Sequence, residues 1–287
     1  MFAHEFMRNA YLAGSFVAVA CGLVGYFTVL RSQVFAGDAL SHVAFTGALA
    51  AAAAGVDIRL GLFVATITVA MGMGLLGDRA RPDDVVIGSV FAWVLGLGAL
   101  FLSIFTNGSS GANGTAAVRV LFGSILGLSA ADARLAAVIA LLSALALLAI
   151  ARPLLFSSLD PDVARSLGLP LRAIGVGFFA LLAVVAAEAT QAVGALLLLG
   201  LLAAPGGAAR LLTDNPWRGL GLSAALALLS MWGGLALSYE VASLPPSFAV
   251  IAIASTFFGL AALLARLRPG VRRKRRMAGR PVSRIEA

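Results

Sequence analysis

Residues 34–54 read VFAGDALSHVAFTGALAAAAA. The stretch matches the roughly 20 apolar residues that a bilayer-crossing helix needs, yet Asp38 and His42 stand inside it, at positions i and i+4. At that spacing two side chains share one helical face. A carboxylate at the centre of a membrane helix costs roughly 2.5–3.5 kcal/mol on insertion scales, and a residue retained against that cost usually marks a pathway or a binding site. The stretch therefore reads as a spanning helix that also carries chemistry.

The rest of the chain supports the membrane reading. Of 287 residues, 61% are hydrophobic and 12% are charged, and the mean hydropathy is +1.00. A soluble domain carries about 25% charged residues, so this chain lacks the polar surface to cover a globule. Further candidate spans are 10–30, 60–77, 85–106, 132–151, 172–188, 191–212, 217–238 and 247–266. The fold class expected is all-α, a polytopic integral membrane protein with about eight or nine transmembrane helices. The count turns on 172–188 and 191–212, which only the dipeptide Ala189–Thr190 divides after Glu188, and Pro205 with Gly206 and Gly207 could split the second. The first span is long enough to serve as an uncleaved anchor.

Charge gives the orientation. The net charge is +8, and Arg266, Arg268, Arg272, Arg273, Lys274, Arg275, Arg276, Arg280 and Arg284 crowd the C-terminus, with Glu286 the only acid among them. Coming directly after an apolar helix, this reads as a cytoplasmic anchor under the positive-inside rule rather than a nucleic-acid arm. The chain divides into a transmembrane domain, 1–268, and a disordered basic tail, 269–287. Arg79, Arg81, Arg152, Arg165 and Arg172 mark two further cytoplasmic loops, and the uncharged TNGSSGANGT at 106–115 reads as external. Nine spans then put the N-terminus outside and the C-terminus inside. Residues 115–128, with Arg119 inside and Arg134 beyond, read as a re-entrant or interfacial segment.

The loop 157–170, SSLDPDVARSLGLP, has internal structure. Asp160 can cap a helix that Pro161 opens and Gly168 ends, which makes a short cytoplasmic helix of about two turns. By pattern it is either an ordinary capped loop or a docking element for a cytoplasmic partner.

Chemistry is confined to few residues. Neutral imidazole with carboxylate suits Zn²⁺, Mn²⁺ or Fe²⁺, and Ser41 could hydrogen-bond either ligand of the Asp38–His42 pair. The spacing equally permits an Asp–His hydrogen bond that only packs two helices. His4 is the one other histidine, so one chain offers two good ligands where a tight divalent site wants about four. A homodimer with its axis beside this helix would supply the other two. Glu188 lies at a span end within reach of interfacial water, and Glu240 faces the outer surface. Cys21, the single cysteine, reads as packing, as do Met71 and Met73. No GxxxxGK[ST] loop is present, and Lys274 is the only lysine, so ATP would have to be used by a separate subunit. HExxH is absent as well, and an intramembrane enzyme is not expected.

The segments FMRNAYLAGSFVAVACGLVGYFTVLRSQVFAGDALSHVAFTGALAA, VLFGSILGLS, LDPDVARSLGLP, AVGALLLLGLLAAPGGAARLL and LSYEVASLPPSFAVIAIAS together resemble the bacterial zinc/manganese/iron-type ABC importer permeases. The resemblance runs from Phe6 to about Arg268, and GDALSH is its most specific part. It implies a permease homodimer in the bacterial inner membrane, two cytoplasmic ABC ATPase subunits, and an extracytoplasmic metal-binding protein that delivers the ion. It implies no permanent cofactor. Asp38 and His42 would line the metal path, with Ser41, Glu188 and Gln191 as further pathway candidates. The loop helix would be the coupling helix, with Asp160, Asp162, Ala164, Arg165 and Leu167 at or near the ATPase. LPPS at 244–247 departs from the family's PSG-like turn, and Glu188 and Gln191 are atypical. The competing reading is a stand-alone proton-coupled carrier that uses Asp38 or Glu188 as its acid.

Overall fold

A computed structural model of the chain describes residues 4–76, 84–107, 123–195, 198–241 and 243–267. The basic tail, Arg79, Arg81, Arg119 and most of the 115–128 segment lie outside the described residues. Its elements are α1 (Glu5–Leu30), α2 (Val34–Ala53), α3 (Ile58–Leu76), α4 (Asp84–Asn107), α5 (Ala130–Leu159), α6 (Pro161–Ser166), α7 (Leu171–Val193), α8 (Leu198–Leu212), α9 (Pro216–Glu240) and α10 (Pro246–Leu267). Eight of them are long and apolar enough to cross a membrane, and α8 is a shorter apolar helix. The chain is a polytopic all-α membrane protein.

Contacts and connections sort the helix ends into two groups. Contacts tie one group together: Arg31 to Ser158, Arg172 to the carbonyl of Leu75, and Arg210 to the carbonyl of Val29. The other group is tied by Arg59 to Asp132 and Glu188, and by the ring of His4 beside that of Tyr239. Arg31, Arg152, Arg165, Arg172, Arg210, Arg218 and Arg266 belong to the first end, against Arg8, Arg59 and Arg134 at the second. By the positive-inside rule the first end is cytoplasmic. The N-terminal end of α1 is then outside, as its sequence suggested.

Three boundaries differ from the sequence reading. The helix expected over 172–188 runs through Ala189–Thr190 to Val193, and the chain breaks instead at Gly194, where φ is +95°. Only glycine takes that conformation without strain. The next helix is the 15-residue α8 rather than a span over 191–212. Pro205 does not split α8: it removes one hydrogen bond, and the helix continues through Gly206, which lies against the carbonyl of Gly25 on α1. Helix α5 also passes the expected stop at residue 151 and reaches Leu159 with Pro153 inside it. Leu154 and Leu155 are buried on the bundle side, and this packing outweighs the bond lost at the proline. Of 115–128, the described part is a 3₁₀ turn, Ile125–Gly127, tied back by Ser124 N–H donating to the carbonyl of Gln191.

Helix α1 is the centre of the bundle and packs against α5, α7, α8 and α9. In lipid the drive for such packing is close contact rather than water exclusion, so small residues line the crossings. Ser223 on α9 donates to the carbonyl of Gly22 at 2.6 Å, and a Cβ on Gly22 would meet that same serine's backbone. Cys21 and Met73 are buried in this core, whereas Met71 is exposed. Helix α2 is as enclosed as α1, and α4, on its far side, is the least enclosed of the spans. Glu240 ends α9 and is exposed.

Candidate functional site

Helix α2 starts shortly after Arg31, at the cytoplasmic end. The link is tightly held: Arg31 donates to Gln33 Oε1 at 3.1 Å and to Ser158 Oγ at 3.3 Å, and its guanidinium lies 5.3 Å from the centre of the Phe178 ring. Asp38 and His42 come within the first turns of α2, both half-buried. The His42 ring meets Phe91 of α4 edge-on, with centroids 5.1 Å apart. Neither the carboxylate nor the imidazole hydrogen-bonds to any described residue, so the Asp–His bond that the spacing permitted is not formed. Ser41 is also different from expectation: its hydroxyl donates to the main-chain carbonyl of Asp38 at 2.7 Å, not to either side chain. Among the described residues no three His, Cys, Asp or Glu side chains lie together in a way that could hold a metal ion. Within one chain the locus is a pair with open valences.

Glu188 and Gln191 lie elsewhere, on the last turns of α7 at the outer end. Glu188 does not reach interfacial water. It is 3% exposed, and Arg59 Nη2 of α3 donates to its Oε1 at 2.8 Å. Arg59 Nη1 stands 3.5 Å from Asp132 Oδ1 on α5, whose side chain is 51% exposed. Asp132 itself sits in the cap of α5, accepting from Ser129 Oγ at 2.6 Å. Glu188 Oε2, Arg59 Nε and Gln191 Nε2 are buried without partners among the described residues. Arg59 is the residue that sequence reading missed. The signal available was a lone arginine in GVDIRL, just ahead of an apolar run, in a chain with a lone glutamate at the end of another.

At the cytoplasmic end α6 forms as its sequence suggests. The Asp160 carboxylate accepts from the Val163 N–H at 3.1 Å, Pro161 takes the first position, and Gly168 has φ +75°. Asp162, Arg165 and Leu167 face outward, with Asp162 and Arg165 3.8 Å apart, while Ala164 is fully buried against the bundle. Beside α6 opens a largely apolar groove of about 630 Å³, lined by Leu155, Phe156, Leu159, Val163 and Trp217 together with Arg152 and Asp160.

The arrangement thus holds an open acid–imidazole pair within the bundle, a self-paired charge cluster at the outer end, and a capped helix beside an apolar groove on the cytoplasmic face. The family model described as the ABC 3 transport family matches residues 3–265. The chain belongs to this family. Among its relatives, the manganese transport system membrane protein MntC of Halalkalibacterium halodurans is 31% identical over 264 residues, covering 91% of this chain and 88% of the relative. The chelated iron transport system membrane protein YfeD of Yersinia pestis is 32% identical over 207 residues, covering 71% and 67% respectively. The fold of this ABC 3 family member is shared with a chain of the solved structure of PsaBC from Streptococcus pneumoniae in complex with Fab, at a TM-score of 0.77 and 23% identity over 90% of this chain and 91% of that one. Family and fold place the protein in the bacterial inner membrane as a multi-pass component of an ABC-type transport system.

Proposed function

We propose that this chain is the permease subunit of an ATP-driven importer of a divalent first-row transition metal, and that Asp38 and His42 hold the ion in transit. The observation that carries the reading is the open pair on α2: two good ligands, half-buried in a membrane helix, hydrogen-bonded to none of the described residues. The resemblance of the whole chain to manganese and chelated-iron transport proteins supports the cargo class. Mixed carboxylate and imidazole ligands suit Mn²⁺, Fe²⁺ and Zn²⁺, and availability decides among them.

The second half of the cage comes from a second copy of the chain, which makes the site two-fold and incomplete in either copy alone. ATP is bound and hydrolysed by a separate cytoplasmic subunit that engages α6 through Asp162, Arg165 and Leu167, with Asp160 holding the helix in shape. An extracytoplasmic binding protein releases the ion at the outer end. Transport is by alternating access: movement of α6 on ATP binding and hydrolysis switches the pair between outward and inward exposure. Ser41 acts on the helix backbone at Asp38 rather than as a ligand. The ion pair with Arg59 argues against Glu188 as the acid of a proton-coupled carrier, and dependence of uptake on the ATPase separates a carrier that uses Asp38 from this reading.

The test is uptake of Mn²⁺, Fe²⁺ and Zn²⁺, each measured in a strain lacking its own importer and carrying this permease with its ATPase and its extracytoplasmic binding protein. Uptake of at least one ion that ceases in an ATPase-dead partner is the expected result. Uptake that persists without the ATPase contradicts the reading.

A further inference from the structure

The outer-end cluster is built but only half closed. Glu188 is 3% exposed and uses one carboxylate oxygen for Arg59, and the other oxygen is buried with no partner among the described residues. Arg59 Nε and Gln191 Nε2 are in the same condition. Glu188 and Gln191, three residues apart, share one face of α7. A buried polar network that is partly satisfied is costly compared with either a complete one or an apolar core. Such a network persists where its groups have a second set of partners. One alternative partner is visible: Arg59 already forks toward Asp132, 3.5 Å away at the solvent edge.

The cluster lies outward of Asp38 and His42 in depth. Ala187 packs with Ala44 and Ala48 of α2. Those positions lie about 3–9 Å outward of His42 along the helix, at 1.5 Å per residue. From the outer surface inward, the order is Asp132, Arg59, Glu188, then His42 and Asp38.

Resting on the importer reading above, we infer that Glu188, with Gln191 and Asp132, forms a staging site for the incoming divalent cation, and that Arg59 is the stand-in cation that occupies it between ions. When an ion arrives, Arg59 moves fully to Asp132. The ion takes both Glu188 oxygens, and a half-turn of the Gln191 amide presents its oxygen in place of nitrogen. Water completes the shell, as hard cations on few protein ligands commonly retain it. The cluster passes from one net negative charge to one net positive charge, so the hold is weak and the ion leaves readily toward α2.

The test uses the full-length permease in lipid nanodiscs with Mn²⁺ as probe, free Mn²⁺ being read by electron paramagnetic resonance. The double variant Asp38→Ala/His42→Ala is expected to keep a weak class of sites, one Mn²⁺ per chain. Adding Glu188→Gln weakens that class by about tenfold or more, and adding Arg59→Gln instead tightens it by about tenfold, since the competing cation is gone. A purely structural ion pair has no reason to give the second result. Mn²⁺ is also expected to raise the melting temperature of Arg59→Gln more than that of the unsubstituted protein. The inference is overturned if the folded double variant binds no Mn²⁺, if its residual binding ignores both substitutions, or if Mn²⁺ fails to relieve the instability of Arg59→Gln. Binding by the double variant equal to that of the unsubstituted protein sinks the Asp38–His42 reading and leaves this one standing. Loss of all binding in the double variant does the reverse.

Discussion

At the outer end of the bundle Glu188 meets Arg59 at 2.8 Å within one chain. On the cytoplasmic half of α2, Asp38 and His42 have no such partner among the described residues, and the ring of Phe91 lies against the imidazole. Both loci put charge or strong polarity into a membrane protein, yet one brings its own counter-ion and the other does not. The closed locus makes the chain depend on the pair for stability, because removing Arg59 strands the Glu188 carboxylate in low dielectric. The open locus strands nothing when it is removed, which accords with the proposal that its side chains hold an ion that arrives from outside the chain.

Substitutions at the two loci are expected to differ in what they cost. Arg59→Met leaves the Glu188 carboxylate, 3% exposed, without its partner and is expected to cost about 3–5 kcal/mol, with Glu188→Leu/Arg59→Met recovering most of it. Thermal unfolding in lipid measures both. Asp38→Ala or His42→Ala lowers metal uptake by about 100-fold or more, the upper reach of losses around metal sites, with melting temperature and expression unchanged. A stability loss in either variant as large as that of Arg59→Met would erase the distinction between the two loci. Asp160→Ala removes the cap of α6 at about 1 kcal/mol of local helix stability, and is expected to lower the permease's stimulation of its ATPase while leaving metal binding intact. Asp132→Asn, at the half-exposed arm of the outer cluster, costs stability only about 0.2–1 kcal/mol, which a melting curve in low salt resolves.

What was legible from sequence was local. The α2 span follows from apolar length, and the shared face of Asp38 and His42 from a four-residue spacing. The α6 helix follows from Asp160, Pro161 and Gly168, and each of these features acts within one or two turns. What was not legible was decided through space. Arg59 and Glu188 are 129 positions apart, and no local pattern links them. The break at Gly194 was invisible because GALLLLG reads as the start of a span, while Ala189–Thr190, which looked like the divider, continues the helix. The span expected to end at residue 151 runs on past Pro153, because Leu154 and Leu155 pack into the bundle and carry α5 with them.

Under the proposed function Asp38 and His42 are half of a site. The most direct test is the stoichiometry of Mn²⁺ binding that depends on them, taken as the difference between the unsubstituted permease and Asp38→Ala/His42→Ala in nanodiscs. One ion for every two chains is the predicted result. One ion per chain, or no difference between the two proteins, would contradict it.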